Sequence, residues 1–186
     1  MATILLLAVC TCLQACAALL VAGGATAVMT ATDRRTVGAQ LEDENIEVKA
    51  GRSIRTDPVL KDAHINVTSY NATVLLTGET PTPEQRDKVL ATVRAVAGTR
   101  RTVNEIRIGP ASELAHRNHD TWLTSKVKAR LIGTDKLDSS HVKVVTEDSV
   151  VYLMGLVKRQ EAELATNAAT EVVGVLRIVK LFEYLD

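Results

Sequence analysis

Cysteine has the most reactive side chain in the sequence, and the positions of the three cysteines limit their chemistry. Cys10, Cys12 and Cys16 all lie in the first 16 of 186 residues. The remaining sequence therefore has no thiol that could form a disulfide, complete a zinc site or act as a nucleophile. The chemistry left for these thiols belongs to the N-terminal segment, where a cysteine can serve as a site of lipid attachment.

The segment around these cysteines has the features of a secretory signal. Residues 2–29 contain no charged side chain, and residues 4–9 form an apolar run. The motif Leu13-Gln14-Ala15-Cys16 resembles the lipobox of bacterial lipoproteins, in which a peptidase cuts before the cysteine and the thiol is diacylated. Ala17 follows, rather than an aspartate, and by the rule of those lipoproteins this implies the outer membrane.

From this segment we expect a signal peptide at residues 1–15, lipidation of Cys16 and a flexible tether over residues 16–42. Small and polar residues dominate the tether, whose length allows the folded part to touch the membrane that anchors it. An uncleaved membrane helix is the alternative, because residues 2–29 exceed the roughly 20 residues that span a bilayer.

A second group of side chains suits the surface of a membrane. Leu123, Val127 and Leu131 recur with the period of a helix and predict a stripe that packs on a core. Trp122 and Lys126 project away from that stripe, and an exposed tryptophan beside cations suits the bilayer interface. Each basic residue near an anionic surface adds roughly 1 kcal/mol to binding.

The predicted phospholipid-binding residues share the outward side, the flanks or the end of this helix. They are Trp122, Ser125, Lys126, Lys128, Ala129, Arg130, Ile132 and Gly133. A contact between domains, or partial burial by packing, is the competing interpretation of Trp122. Basic and acidic residues number 22 each, and this balance argues against a general nucleic-acid binder.

Other polar residues do not predict a site of chemistry. His116, His119 and Asp120 match no closed metal site by their spacing. No serine has a plausible base and orienting residue nearby. His64 and His141 precede two similar strands, which favours a structural role. We therefore predict no catalytic residue, no metal ligand and no cofactor, and we do not expect an enzyme.

The elements that must position the Trp122 helix belong to an internal repeat. Residues 64–78 match residues 141–155 without a gap, and each begins with a histidine and ends with a glycine. Each copy has the pattern helix, strand, strand, helix, strand, in which the last strand can pair in parallel. We predict an α+β fold in which each αββαβ copy forms a three-stranded mixed sheet with both helices on one face. The other face of the sheet is either partly exposed or packed on its twin.

The predicted domains are residues 43–108 and residues 119–186, joined by a linker at residues 109–118. The first copy has Asn45 at the position of Trp122, with glutamates close by. This helix face is acidic and lacks an apolar wedge. The second copy, and not the first, is therefore predicted to meet lipid.

The two copies resemble the BON domain. The stretches Val74-Leu75-Leu76-Thr77-Gly78 and Val151-Tyr152-Leu153-Met154-Gly155, each followed by a helix and a further glycine, are similar to the pattern of that family. Together with the lipobox, they resemble the two-domain outer-membrane lipoproteins of the family, from Cys16 to the end of the sequence.

This resemblance implies a non-enzymatic protein that preserves the barrier of the outer membrane. It implies binding of anionic phospholipid, such as phosphatidylglycerol or cardiolipin, through the first helix of the second domain. It also implies enrichment at division sites and links to the outer-membrane assembly machinery, to division proteins and to the control of septal cell-wall amidases. A protein–protein adaptor is therefore the alternative function, and nucleic acid is not an expected partner.

Overall fold

The computed structural model describes residues 33–186, of which Arg34–Asp186 form one compact unit. The predicted signal peptide at residues 1–15, the predicted lipidation site Cys16 and most of the predicted tether lie outside the described residues. Among the helices of residues 33–186, none is both long and apolar enough to cross a bilayer.

Two copies of one arrangement of helices and strands follow each other along the chain. The helices are α1 Val37–Thr56, α2 Pro83–Arg94, α3 Leu114–Ile132 and α4 Arg159–Thr170. The strands are β1 His64–Tyr70, β2 Thr73–Thr80, β3 Arg101–Ile108, β4 Val142–Glu147, β5 Val150–Val157 and β6 Arg177–Tyr184. The first copy runs from α1 to β3 and the second from α3 to β6, so the predicted αββαβ order is confirmed in both.

Each copy forms a three-stranded sheet with its second strand in the centre. β1 and β2 pair antiparallel, whereas β2 and β3 pair parallel. β4, β5 and β6 repeat this arrangement. The last strand is parallel because a helix carries the chain back along the sheet before that strand begins. The prediction of a mixed sheet is thus confirmed.

The helices of each copy pack on one face of its sheet. In the first copy, Ile46 of α1 and Val89 of α2 share a core with Leu76 of β2. The corresponding residues of the second copy are Leu123, Ala165 and Leu153. These core side chains are almost fully removed from solvent, and burial of such apolar area is the main force that holds each copy together.

A buried aspartate joins the first helix of each copy to the hairpin of its sheet. Asp43 of α1 accepts hydrogen bonds from the backbone N–H groups of turn 71–72, at 2.7 and 2.8 Å. Asp120 of α3 accepts hydrogen bonds from those of turn 148–149, at 2.9 Å each. All four turn residues have positive φ although none is glycine, and the carboxylate holds this uncommon conformation in place.

Helix α1 begins earlier than the sequence pattern predicted. Its first residue is Val37, so the expectation of a flexible tether is wrong for residues 37–42. The physical reason is a cap: the hydroxyl of Thr36 accepts a hydrogen bond from the backbone N–H of Ala39 at 3.1 Å.

Helix α3 also begins earlier, at Leu114, so residues 114–118 of the predicted linker are helical. The sequence pattern favoured a start at Asp120 or Thr121, because such residues often cap helices. The carboxylate of Asp120 instead binds the β4–β5 turn, and the helix extends nearly two turns further back.

The second face of each sheet packs on its twin. Tyr70 and Leu75 from the first sheet form one buried cluster with Tyr152 and Met154 from the second. Because one side of β2 faces its helices and the other side faces the twin, all eight residues of this strand are buried. Of the two expectations for this face, packing on the twin is correct.

Polar side chains around this cluster also join the two copies. The carboxylate of Glu147 accepts hydrogen bonds from Asn66 at 2.8 Å and from Thr77 at 2.9 Å. The ammonium of Lys143 donates to Glu47 at 2.9 Å. These bonds are directional, so they select one relative orientation of the two sheets beyond what the apolar cluster specifies.

A clasp at the start of the compact unit connects the segment before α1 to the second copy. The guanidinium of Arg34 donates to both carboxylate oxygens of Glu161 in α4, at 2.6 and 2.8 Å, and to the carbonyl oxygen of Leu156 at 3.1 Å. The hydrogen bond from Arg34 lowers the pKa of Glu161 from 4.5 to about 2. The segment that precedes α1 is therefore bound to the second copy.

We predict that Arg34→Ala lowers the free energy of unfolding at neutral pH by about 1–2 kcal/mol, because a partly buried bidentate pair is lost. In the wild type, the folded state lowers the pKa of Glu161. The contribution of this carboxylate to the free energy of unfolding is therefore complete above pH 4.5 and is lost as the pH falls through about 2. Urea unfolding at neutral pH and near pH 2.5 measures both effects. The difference between wild type and variant should shrink at the lower pH.

Arg86→Ala is the matched control, because Arg86 pairs with its exposed neighbour Asp87 at the surface. It should change the free energy of unfolding little at either pH. Equal unfolding free energies for Arg34→Ala and wild type at neutral pH would contradict the role of the clasp.

Candidate functional site

The rotation of α3 about its axis decides which of its side chains face solvent. Its buried residues are Asp120, Leu123, Val127 and Leu131. The three apolar side chains enter the core of the second copy, and the carboxylate binds turn 148–149. The stripe predicted from the sequence is therefore confirmed, and Asp120 extends it toward the N-terminus of the helix.

The outward side of α3 exposes two large apolar side chains. Trp122 is 52% exposed and Ile132 is 72% exposed. Both copies belong to the same compact unit, so this exposure remains after the two sheets have packed. Trp122 is therefore not sealed in the contact between the two copies, although His119 and Lys126 of its own helix partly cover the indole.

The indole of Trp122 lies between two other side chains of α3. The Nζ of Lys126 is 4.3 Å from its ring centroid, within the range of a cation–π contact. The imidazole of His119 comes three residues before Trp122. Its ring centroid is 5.5 Å from that of the indole, and the two ring planes are tilted by 38°. The indole is thus oriented on the helix surface, with an ammonium group beside its exposed apolar ring.

Arg130 has a partner that the sequence pattern did not predict. Its guanidinium forms an ion pair with Glu171, just after α4. Lys128 is exposed and Lys126 is half-buried. Lys126, Lys128 and Arg130 are therefore not equivalent cations, as the sequence had suggested, because the charge of Arg130 is neutralised by Glu171.

The other predicted residues lie on the outward side of α3 or at its end. Ser125 and Ala129 are exposed, and Gly133 is the exposed C-cap of the helix. The hydroxyl of Ser125 donates to the carbonyl oxygen of Thr121 at 3.0 Å, so it is directed to the helix backbone. The structure therefore brings the whole predicted set together on one helix and its cap.

The outward side of α1 differs from that of α3. Asn45, at the position equivalent to Trp122, is exposed. However, Val37, Leu41 and Val48 are 64%, 56% and 59% exposed, so α1 carries an aliphatic stripe. The prediction that this face lacks an apolar wedge missed this stripe, in part because it placed Val37 and Leu41 in the tether. α1 contains no aromatic residue.

A histidine and two glutamates gather where the two copies meet. The Nδ1 of His64 is 3.1 Å from a carboxylate oxygen of Glu79, and one ligand atom of each of His64, Glu79 and Glu147 lies within 4.8 Å of the others. Burial alone would raise the pKa of Glu79, but hydrogen bonds from the Ser112 backbone, Arg107 and His64 outweigh it and hold that pKa below its ordinary value. These residue types can bind a cation, but both carboxylates already accept hydrogen bonds from the protein.

His64 and His141 were predicted to have a structural role, and their backbone carbonyl oxygens lie very close to two glycines of the neighbouring strands. A Cβ atom at Gly78 would lie 2.0 Å from the carbonyl oxygen of His64, and one at Gly155 would lie 2.4 Å from that of His141. Only glycine allows the strands to approach so closely at these points. The histidine and glycine that recur in both copies therefore mark the same close approach of the first two strands of each sheet.

Both copies match the family model of the BON domain, over residues 42–110 and residues 119–186. The chain belongs to the BON-domain family. This BON-domain protein is 35% identical over 175 residues to the outer membrane lipoprotein DolP of Haemophilus influenzae, an alignment that covers 94% of this chain and 91% of that protein.

Two further relatives have recognisable similarity over most of the chain. The 21 kDa hemolysin of Actinobacillus pleuropneumoniae is 32% identical over 155 residues, covering 83% of this chain and 80% of that protein. Osmotically-inducible protein Y of Escherichia coli is 30% identical over 142 residues, covering 75% and 71%. The resemblance found in the sequence is confirmed, and the chain is a dual BON-domain protein of the DolP type.

We predict that Asp120→Ala lowers the free energy of unfolding by about 2–3 kcal/mol, because two backbone N–H groups of the β4–β5 turn lose a charged acceptor. Urea unfolding followed by circular dichroism measures the change. Asp135→Ala is the control, since Asp135 is exposed in the loop after α3. The same unfolding midpoint for Asp120→Ala and Asp135→Ala would show that the carboxylate does not hold the helix to the hairpin.

Proposed function

We propose that this protein is anchored in the outer membrane by a lipidated Cys16, after removal of residues 1–15, and binds anionic phospholipid through α3 of its second BON domain. The observation that carries the proposal is the half-exposed indole of Trp122 with the Nζ of Lys126 at 4.3 Å from its ring. An apolar ring beside a cation matches the bilayer interface, where acyl chains and phosphate groups meet.

The proposed interaction is weak for the folded part alone and becomes effective through the anchor. Lys126 and Lys128 each add about 1 kcal/mol near an anionic surface. The rings of Trp122 and the side chain of Ile132 add apolar area, both being exposed in the free protein. An acyl anchor at Cys16 would confine the folded part to the neighbourhood of the membrane, which raises its effective concentration there.

The lysines favour phosphatidylglycerol and cardiolipin over zwitterionic lipid, because the latter has no net charge to attract them. A tethered protein with this preference gathers where anionic lipids are enriched. We propose that this property contributes to enrichment at division sites, where the protein supports the integrity of the outer membrane. The family resemblance supports this role.

A protein–protein adaptor is the second candidate function, and the aliphatic stripe of α1 favours it. Val37, Leu41 and Val48 are exposed on one side of the helix, with the acidic Glu44 beside them. A stripe of this kind fits an apolar groove lined by basic residues in a protein partner. The outer-membrane assembly machinery and the regulators of septal amidases are the candidates implied by the family.

We predict that Trp122→Glu weakens binding to vesicles that contain phosphatidylglycerol by at least about tenfold, because it replaces the apolar ring with a charge that the lipid repels. The measurement is co-sedimentation of the chain from Ala17 onward, which lacks the acyl anchor. Wild-type binding should also fall as salt is added, since screening weakens the contribution of the lysines.

Asn45→Glu is the matched control, because Asn45 is exposed at the equivalent position of α1. It should bind the vesicles like the wild type. Undiminished binding by Trp122→Glu, or equal binding to phosphatidylcholine and phosphatidylglycerol vesicles, would reject the proposal.

A further inference from the structure

The loop between α4 and β6 carries the two most exposed large apolar side chains of the described residues. Val173 is 82% exposed and Leu176 is 80% exposed. Single apolar residues on a surface are common and need no explanation. Two of them three residues apart in one loop form a small apolar tip, which we name the 173–176 tip.

The 173–176 tip lies against the helix that carries Trp122. A Cβ atom at Gly174 would be 3.5 Å from Cδ1 of Leu123 and 3.9 Å from Nε2 of His119. His119 in turn contacts the ring of Trp122. His119 therefore lies between Gly174 of the tip and the exposed indole.

The backbone of the tip is held in place from several sides. The N–H of Leu176 donates to the carbonyl oxygen of Ser149 at 3.0 Å, and the N–H of Val175 donates to that of Val172 at 3.2 Å. Val172 and Val175 face inward and pack on the core of the second copy. The tip thus presents Val173 and Leu176 on a fixed frame, so little chain entropy is lost if they are buried by a ligand.

The first copy shows that the fold does not require this apolar tip. The N–H of Arg100 donates to the carbonyl oxygen of Ala72, which is the same backbone hydrogen bond that Leu176 makes to Ser149. The Arg100 side chain, unlike that of Leu176, is charged and forms an ion pair with Glu183. Ala97 stands where the second copy has Val173. The apolar side chains are therefore specific to the second copy.

We propose that the 173–176 tip is a second membrane-insertion element, which enters the same anionic bilayer as Trp122. This inference rests on the proposed function of α3. Valine and leucine side chains have no polar group and reach the acyl chains, whereas the indole stays at the depth of the headgroups. Contacts from a helix and from a loop define a plane, so the domain would meet the membrane in one orientation.

The ion pair between Arg130 and Glu171 lies beside the 173–176 tip. It joins α3 to the segment that enters the tip. It also neutralises Glu171, whose carboxylate would otherwise repel an anionic surface next to the tip. The cations left to attract the membrane are the lysines of α3, and the apolar tip supplies contact area beside them.

The first test removes apolar area without changing charge. The double variant Val173→Ser, Leu176→Ser should bind phosphatidylglycerol vesicles about tenfold less tightly than wild type, because two aliphatic side chains no longer leave water on binding. Val48→Ser is the control, since it removes an exposed aliphatic side chain from α1. It should bind like the wild type.

The second test measures insertion directly. All three cysteines precede Ala17, so the chain from Ala17 onward can carry a single fluorescent label. An environment-sensitive dye on Val173→Cys should brighten and shift to the blue with phosphatidylglycerol vesicles. The same dye on Ala97→Cys, at the equivalent loop position of the first copy, should not respond.

The outcomes separate this inference from the proposed function. If neither the wild type nor any variant binds vesicles, the proposed function fails and the inference fails with it. If Trp122→Glu loses binding while the double tip variant binds like the wild type and the label at position 173 stays silent, only the tip is rejected. Wild-type vesicle binding by the double variant, combined with reduced self-association in sedimentation, would assign the tip to a contact with a second copy of the chain instead.

Discussion

The hydrogen bonds of one buried carboxylate determine how the first helix of each BON domain is rotated. In a hairpin turn with positive φ, two backbone N–H groups point away from the strands, and Asp43 or Asp120 accepts both. A charged acceptor makes these bonds stronger than ordinary ones. With the carboxylate held at the turn and the apolar stripe held in the core, the helix cannot roll. The side chains opposite the aspartate, Trp122 among them, are therefore committed to the outward side.

The packing of the two sheets limits where such a protein can bind anything. One face of each sheet is covered by its own helices and the other by the twin sheet. Burial beside Glu105 raises the pKa of the Tyr152 phenol, so its hydroxyl remains a hydrogen-bond donor in this contact. The central strands β2 and β5 therefore offer almost no open surface to a partner. Most of the exposed surface belongs to the outward sides of the helices, the loops at their ends and the edge strands.

Features that depend on regular spacing along the chain were predicted from the sequence. Features that depend on contacts between distant residues were not. Leu123, Val127 and Leu131 revealed the inward side of α3, because a helical period is a local property. The consecutive apolar residues 74–76 of β2 are compatible with burial on both faces, but they do not show that a twin sheet covers one of these faces. The ion pair of Arg130 was not predictable, because Glu171 lies in another element. The early start of α3 was missed because its first turn contributes no residue to the buried stripe.

The difference between the two BON domains lies in their side chains and not in their backbones. Arg100 and Leu176 occupy the same loop position and make the same backbone hydrogen bond. Arg100 binds Glu183 of the second domain, so the loop of the first domain is engaged in the contact between domains. The equivalent loop of the second domain exposes Leu176 next to the helix of Trp122. The same loop thus contributes an ion pair to the contact between domains in the first copy and exposes apolar side chains in the second.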